Sequence, residues 1–296
     1  MQKRQLGAST LQISELSLGG MSLPTDLSAA KYVVDAALDA GINYFDTADL
    51  YDRGQNEEIY GELLKKQRAE LIIATKVGNR WQEGVDGWQW DPSPQHIKEA
   101  VHKSLARLQT DYIDVYQLHG GTIADPWDEM IDTFESLKKE GLIREYGISS
   151  IRPNVFTPFS KNSAAISNMM QFNILDQCAM EWFEALHEHG VSVVTRGSIA
   201  KGLLTSEWSA RLKDYMNYSK DELATIIPKI EAQFGDIHAA ALAFNLQFPQ
   251  VASTVIGART MQQLTTTIEA YEKSKALQGI EQILTFTKQD KYNAHR

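Results

Sequence analysis

The chain has 296 residues, of which 43% are hydrophobic and 23% are charged, so it can bury a large core. Its formal net charge of -9 argues against a general binder of nucleic acids or membrane surfaces, and its only cysteine, Cys178, excludes an internal disulfide and a cysteine-rich zinc site. The amino-terminal sequence lacks the apolar core of a signal peptide, and no later stretch is apolar for the length of a membrane span, so we expect a cytoplasmic protein.

Strands and helices alternate in the elements predicted along the chain. Met1 to about Ile13 alternate between apolar and polar residues around a Gly-Ala turn, which predicts a small hairpin. A first strand from Leu16 to Gly19 precedes a helix from Ala29 to Asp39, for which Ser28 is the expected N-cap. Later strands are predicted near residues 43–47, 71–76, 113–119, 144–148, 167–172, 191–196 and 252–256. Later helices are predicted near residues 56–66, 94–107, 127–139, 152–160, 178–189, 221–234, 237–247 and 260–272, with a final helical segment near 279–289.

Eight strands interleaved with helices are typical of a parallel sheet closed into a (β/α)8 TIM barrel, here with an N-terminal β-hairpin and a C-terminal helical extension. An open doubly wound sheet is the rival architecture. No G-x-G-x-x-G fingerprint follows an early strand, so the usual sign of a Rossmann dinucleotide site is missing. Because no repeat, low-complexity stretch or linker divides the chain, we expect residues 1–296 to form one domain.

Three of the predicted strands end in an ionisable side chain. The strand near 43–47 ends around Asp46, the next ends in Lys76, and the one after that ends in His119. Tyr51 lies in the polar loop that follows Asp46. A buried carboxylate needs a partner, and Lys76 is a candidate. These endings predict one site at the carboxyl end of the sheet.

The residues that surround this site resemble the aldo-keto reductase superfamily. The resemblance begins with the Asp-Thr-Ala strand end followed by Tyr, the strand closing on Lys and the strand closing on Leu-His. It extends, in the family's order and over nearly the whole chain, to the motifs Gly19-Gly20-Met21, Gly147-Ile148-Ser149-Ser150, Gln171-Phe172-Asn173, Lys201-Gly202-Leu203-Leu204 and Ile256-Gly257-Ala258-Arg259-Thr260. Each motif is weak alone, but the ordered set is specific.

The resemblance implies an NADPH-dependent reductase of aldehydes or ketones that transfers hydride directly, with Asp46, Tyr51, Lys76 and His119 as its catalytic tetrad. The chemistry is consistent with this assignment. Tyrosine is a weak acid, and a nearby ammonium stabilises tyrosinate. Lys76 could supply that charge, Asp46 could hold Lys76, and His119 could orient the carbonyl oxygen or share the proton transfer. Taken singly, each residue has an ordinary alternative as a surface tyrosine, solvated lysine, capping aspartate or buried histidine.

The same resemblance implies the NADP site. Ser149 and Gln171 would bind the nicotinamide carboxamide, together with Ser150, which stands where the family more often has Asn. Arg196 stands where relatives have an aromatic residue that stacks on the ring, and a guanidinium can stack too, although a pair with a nearby carboxylate is the alternative. The strand-to-helix junction at Arg259 has the form of an anion site, and the resemblance assigns Arg259 to the 2′-phosphate and Gln263 to the adenosine end. The remaining implied cofactor positions are Gly20, Met21, Gly197, Gly202, Leu203 and Gly257.

Large apolar side chains are candidates to line a substrate pocket, namely Met21, Trp81 and Trp88, with Trp90 nearby, whereas Trp127 is expected to pack in a helix. We expect a small carbonyl substrate, no nucleic-acid or membrane partner and no metal, because His187-Glu188-His189 has the wrong spacing for a shared helix face. The sequence gives neither the substrate nor the oligomeric state. Two alternatives stay open: a nucleotide-binding regulatory or sensor protein with little turnover, and a barrel isomerase or lyase acting on phosphorylated sugars.

Overall fold

Eight parallel strands close into a barrel in a computed structural model that describes residues 1–295. In chain order the strands are Leu16–Gly19, Tyr44–Asp46, Ile72–Val77, Ile113–Leu118, Ile143–Ser149, Ser167–Gln171, Ser192–Arg196 and Val251–Gly257. Each strand pairs with its neighbours in sequence, and the last strand pairs with the first, which places Gly257 opposite Gly19. The predicted (β/α)8 barrel is therefore confirmed.

The strands are apolar because a parallel barrel buries both of their faces. In the third strand, Ile72–Val77, every residue is buried. Side chains from alternate positions, such as Tyr44 and Ala74, pack together in one cluster, which also contains Leu6 and Ile13 of the amino-terminal hairpin. The hairpin strands, Lys3–Gln5 and Gln12–Ser14, therefore close the barrel at the amino-terminal ends of its strands.

The helices follow the strands around the outside of the barrel. In chain order they are Leu27–Asp39, Gln55–Leu64, Pro94–Leu108, Trp127–Lys139, Pro153–Asn162, Phe183–Glu188, Lys220–Phe234, Ile237–Leu246 and Met261–Ser274. Their apolar faces, together with the outward faces of the strands, form the larger of the two core clusters. None of the helices within residues 1–295 is long and apolar enough to cross a membrane.

The first helix begins earlier than predicted, and the expectation that Ser28 caps it is wrong. The cap is Asp26, whose carboxylate accepts a hydrogen bond from the Ala29 backbone N–H at 2.8 Å. Because Asp26 satisfies that free N–H from three residues upstream, Leu27 and Ser28 already lie in the first turn.

Two predicted helices are shorter in the structure. The segment near 178–189 is helical only over Phe183–Glu188, after a 3-10 turn at Met180–Trp182. The carboxyl-terminal segment forms a 3-10 helix at Ile280–Thr285. Beyond it, the Lys288 N–H bonds the Tyr218 hydroxyl, so contacts with another part of the fold replace the next helical turn. A small two-stranded ribbon, Asn79–Arg80 with Gln89–Trp90, was not predicted.

Candidate active site

The buried ammonium of Lys76 lies at the centre of the predicted tetrad. Its Nζ donates to Oδ2 of Asp46 at 2.8 Å, to the backbone carbonyl of Thr47 at 2.7 Å and to the hydroxyl of Tyr51 at 3.4 Å. An ammonium has three N–H donors, so these three acceptors satisfy it. The side chain of Lys76 is fully inaccessible to solvent, and that of Asp46 is 4% exposed.

Burial and the charge of the partner shift the pKa of Lys76, and that of Asp46, in opposite directions. Burial alone would lower the pKa of Lys76, but the Asp46 carboxylate and the Tyr51 hydroxyl outweigh it, and the pKa is raised. Burial raises the pKa of Asp46, and the neighbouring Lys76 ammonium opposes that rise. The lysine therefore stays protonated at neutral pH and presents a positive charge to Tyr51.

A sharp turn after Tyr51 fixes the direction of its loop. Asp52 and Arg53 both have left-handed backbones, with φ values of 49° and 53°. Gly54 follows with φ of 90° and precedes the helix Gln55–Leu64, and a Cβ there would lie 2.7 Å from Cδ of Arg107. The chain thus reverses within a few residues, which leaves Tyr51 beside the ends of the second and third strands.

His119 completes the group at the end of the fourth strand. Its ring meets the Tyr51 ring edge-on, with centroids 5.9 Å apart and an interplanar angle of 84°. Burial, followed by the positive charges of Lys76 and Arg196, lowers the pKa of His119 to about 3. The imidazole is therefore neutral near pH 7, so it can form a hydrogen bond but carries no formal charge.

Buried polar side chains from the second helix support this site, and sequence reasoning missed them. Asn56 donates to the Gly20 carbonyl at 2.7 Å and accepts from the Thr47 hydroxyl at 2.6 Å. Glu57 pairs with Arg107 at 2.6 Å and accepts from the Thr75 hydroxyl. They link the helix to the strand ends that carry Asp46 and Lys76. In the sequence they look like ordinary polar residues of a helix's first turn.

A cavity of about 330 Å³ opens beside His119. Trp88 and Trp90 line it, whereas Trp81 donates its indole N–H to the Asp49 carbonyl, and Met21 is 71% exposed and does not line the cavity. Of the three side chains predicted for a substrate pocket, Trp88 lines this cavity, and Trp81 and Met21 do not. The other lining residues are Asn79, His119, Gly120, Gly121, Thr122, Ser149, Ser150, Ile151, Arg152, Met169 and Arg196. A depression of about 600 Å³ around hairpin residues Gln5 and Gly7 contains none of the predicted site residues.

Arg196 and Gln171 lie side by side at the ends of adjacent strands. They are paired in register, and Nη1 of Arg196 donates to Oε1 of Gln171 at 3.1 Å. Gln171 in turn donates to Asp176 at 2.6 Å. From the sequence, a direct pair between Arg196 and a carboxylate was an alternative. In the structure the amide of Gln171 lies between Arg196 and the carboxylate of Asp176. Ser149 ends the neighbouring fifth strand and lines the same cavity.

The positions implied for the rest of the cofactor follow the first, seventh and eighth strands. Gly257 and Gly197 are both exposed, and a Cβ at Gly197 would stand 3.6 Å from the Gln171 side chain. Gly202 has φ of 93°, and Leu203 beside it is buried. At the last helix, the Gln263 side chain accepts from the Arg259 N–H, and the Thr260 hydroxyl accepts from the Gln263 N–H. Arg259 is exposed, two residues before the first residue of this helix.

Known proteins of similar sequence and structure identify the family of this chain. The chain matches the model of the Aldo/keto reductase family over residues 15–284. It is 50% identical over 305 aligned residues to the uncharacterized oxidoreductase YqkF of Bacillus subtilis (strain 168), with 100% of both chains covered. The holo form of aldo-keto reductase AKR11C1 from Bacillus halodurans superposes with a TM-score of 0.97 at 49% identity, and the apo form with 0.88 at 45%, each covering 100% of this chain and 99% of the other. The chain therefore belongs to the aldo/keto reductase family of oxidoreductases, which act on small carbonyl compounds.

Proposed function

We propose that the protein reduces an aldehyde or ketone with NADPH, or oxidises the alcohol in reverse, with Tyr51 as the general acid and base. The contact of one buried ammonium with two partners carries this proposal: Lys76 Nζ lies 2.8 Å from Asp46 and 3.4 Å from the Tyr51 hydroxyl. A tyrosine placed against such a cation is suited to give up and regain its proton.

The residues of the chain manage the proton and the developing charge. When bound, the reduced nicotinamide supplies the hydride. As negative charge builds on the carbonyl oxygen, the Tyr51 hydroxyl donates its proton to it, and Lys76 stabilises the phenolate that remains. Asp46 balances the lysine charge and limits the cost of burying it. His119, neutral because its pKa is about 3, orients the carbonyl oxygen by a hydrogen bond.

We assign a nicotinamide dinucleotide to the strand ends around the cavity. Ser149, Gln171 and Arg196 would hold the nicotinamide end, with Gly197 leaving space beside Gln171. Gly20, Met21, Gly202, Leu203 and Gly257 would border the rest of the cofactor, with Gln263 at the adenosine end. Arg259 is exposed at the start of the last helix and would bind the 2′-phosphate, which favours NADPH over NADH. The closer likeness to the holo form of AKR11C1 than to its apo form supports a cofactor-binding conformation.

The test is the consumption of NADPH with a reactive aromatic aldehyde. We expect Tyr51→Phe to lower kcat by about 10²–10⁴-fold and to leave NADPH binding intact. Tyr32→Phe is the matched control, since Tyr32 is 67% exposed on the first helix. We expect Arg259→Leu to reduce the preference for NADPH over NADH.

Other outcomes would favour the alternatives. Tight NADPH binding without turnover would favour a regulatory or sensor protein. A reaction that proceeds without nicotinamide would favour an isomerase or lyase. Turnover that Tyr51→Phe leaves unchanged would contradict the role proposed for Tyr51.

A further inference from the structure

The residues that line the cavity carry a positive charge, although the chain as a whole is acidic. Arg152 and Arg196 are among the lining residues, and no aspartate or glutamate is among them. The formal net charge of the whole chain is -9. A cationic recess in an acidic protein concentrates anions there and repels them elsewhere.

Arg152 is held in place through its backbone. Its N–H donates to the Ser150 hydroxyl at 3.3 Å. Its carbonyl accepts from the N–H groups of Val155 at 2.9 Å and Phe156 at 3.0 Å, in the first turn of the helix Pro153–Asn162. These bonds fix the start of the side chain at the rim of the cavity.

The guanidinium of Arg152 is also tied to the loop that begins at His119. Its Nη1 donates to the Gly121 carbonyl at 2.8 Å. Gly120 and Gly121 have φ values of 125° and 126°, and a Cβ at Gly121 would lie 2.8 Å from Cγ1 of Val155. The loop therefore needs glycine at Gly121 in order to come this close. As a result, the positions of Arg152 and His119 are coupled through a short, constrained segment.

Most of the hydrogen-bonding capacity of Arg152 remains available. A guanidinium has five N–H donors in a planar fork, and the side-chain bond found here is the one to Gly121. Within residues 1–295, no carboxylate pairs with Arg152. Arg196, by contrast, already bonds Gln171 and lies among the residues proposed for the nicotinamide. Arg152 is thus the cation of the cavity that is free to meet a substrate.

The geometry points to a substrate class: small aldehydes or ketones that also carry an anionic group, a carboxylate or a phosphate, which Arg152 holds while the carbonyl lies beside His119 and Tyr51. This inference rests on the proposed reductase function. The planar fork of arginine matches both anions bidentately, and the partly enclosed cavity strengthens the attraction. The cavity has a volume of about 330 Å³, which suits a small molecule.

The test compares 4-formylbenzoate with its methyl ester, which has the same reacting aldehyde but no charge. The ratio of their kcat/KM values in the parent is compared with the ratio in Arg152→Gln, so that differences in intrinsic reactivity cancel. We expect Arg152→Gln to lower the acid-to-ester ratio about 10- to 100-fold, mainly through the KM of the acid. Arg152→Lys should keep part of the ratio. Lys161→Gln, which removes an exposed positive charge from the same helix, should keep all of it.

Two further arms separate the possible results. 4-Formylphenyl phosphate shows whether carboxylate or phosphate fits better, and calorimetric titration with benzoate measures anion binding without turnover. If benzoate binding weakens in Arg152→Gln, the inference is supported even when neither aldehyde reacts. The lack of turnover would then count against the reductase function and not against the inference. An acid-to-ester ratio equal in parent and Arg152→Gln, or benzoate binding equal in both, would overturn the inference, whereas turnover of the ester would leave the reductase function standing.

Discussion

The Nζ atom of Lys76 lies 2.8 Å from Oδ2 of Asp46, with both side chains removed from solvent. We expect Asp46→Asn to lower the free energy of unfolding by about 3–5 kcal/mol, because it leaves a buried ammonium without its counter-charge. Denaturant unfolding of the cofactor-free protein near neutral pH measures this loss.

A second variant separates charge from packing in that prediction. Asp46→Asn combined with Lys76→Met removes both charges and should recover part of the lost stability. Asp35→Asn is the control, because Asp35 pairs with Lys31 on the exposed face of the first helix and should cost no more than about 1 kcal/mol. Similar losses at Asp46 and Asp35 would contradict the prediction.

The charge of Arg196 should influence which redox form of the cofactor binds better. The oxidised nicotinamide ring is cationic, so a neighbouring guanidinium disfavours it relative to the reduced ring. We expect Arg196→Tyr to shift relative affinity towards the oxidised form, as measured by titration with both forms. Arg196→Lys keeps the charge and should show little shift. If the parent and Arg196→Tyr gave the same ratio of dissociation constants, the guanidinium would have no such influence.

Gly20 is in close contact with the buried Asn56 side chain. A Cβ at Gly20 would lie 2.0 Å from Oδ1 of Asn56, which is fixed by bonds to Gly20 and Thr47. We expect Gly20→Ala to destabilise the protein by about 1–3 kcal/mol, because the amide has no room to move. In Gly257→Ala the added Cβ would lie 2.6 Å from Oγ and 3.0 Å from Cβ of Ser22. The hydroxyl can rotate away and the remaining contact is less close than the one at Gly20, so the thermal midpoint should fall less. An equal fall in both variants would show that the Asn56 contact is not decisive.

The buried His238 should make the fold sensitive to acid. Burial lowers its pKa to about 4, against the opposing charge of Asp236 and with a smaller contribution from Lys273. In the unfolded chain the group has a pKa of about 6.5, so the unfolded state takes up the proton first as the pH falls. The stabilising contribution of the neutral, buried imidazole is complete above the pKa of the unfolded state. It is lost as the pH falls towards the pKa of the folded state, which is about 4. Lowering the pH from about 7 to about 5 should therefore reduce the free energy of unfolding by about 2 kcal/mol through His238.

Urea unfolding at both pH values tests the contribution of His238. His238→Phe should show a pH-dependent loss smaller than that of the parent by this amount, whatever its stability at neutral pH. His102→Gln, at an exposed position, should follow the parent. A parent and a His238→Phe variant with the same pH dependence would rule out this contribution.

Local pattern predicted the barrel because each strand is buried on both faces and so appears as a short apolar run between helices. It also predicted which side chains gather, since parallel strands present their carboxyl ends at one rim. Asp46, Lys76 and His119 each lie at the end of such a strand or one residue from it, and the structure brings them together with Tyr51. Local pattern was less reliable for helix limits: Asp26 and Ser28 are both good caps, and only the backbone path selects Asp26.

Contacts between residues distant in sequence required the tertiary structure. Arg196 could have faced a carboxylate, but strand register places Gln171 beside it. Arg152 looks like an ordinary loop residue three positions after the fifth strand, and its role at the cavity depends on the path of Gly120 and Gly121 in another loop. The sequence by itself determined the order of elements and the chemistry at each strand end, because both are encoded locally. Only the tertiary structure decided which side chains face each other across the barrel mouth, because register and loop path depend on the packing of the whole chain.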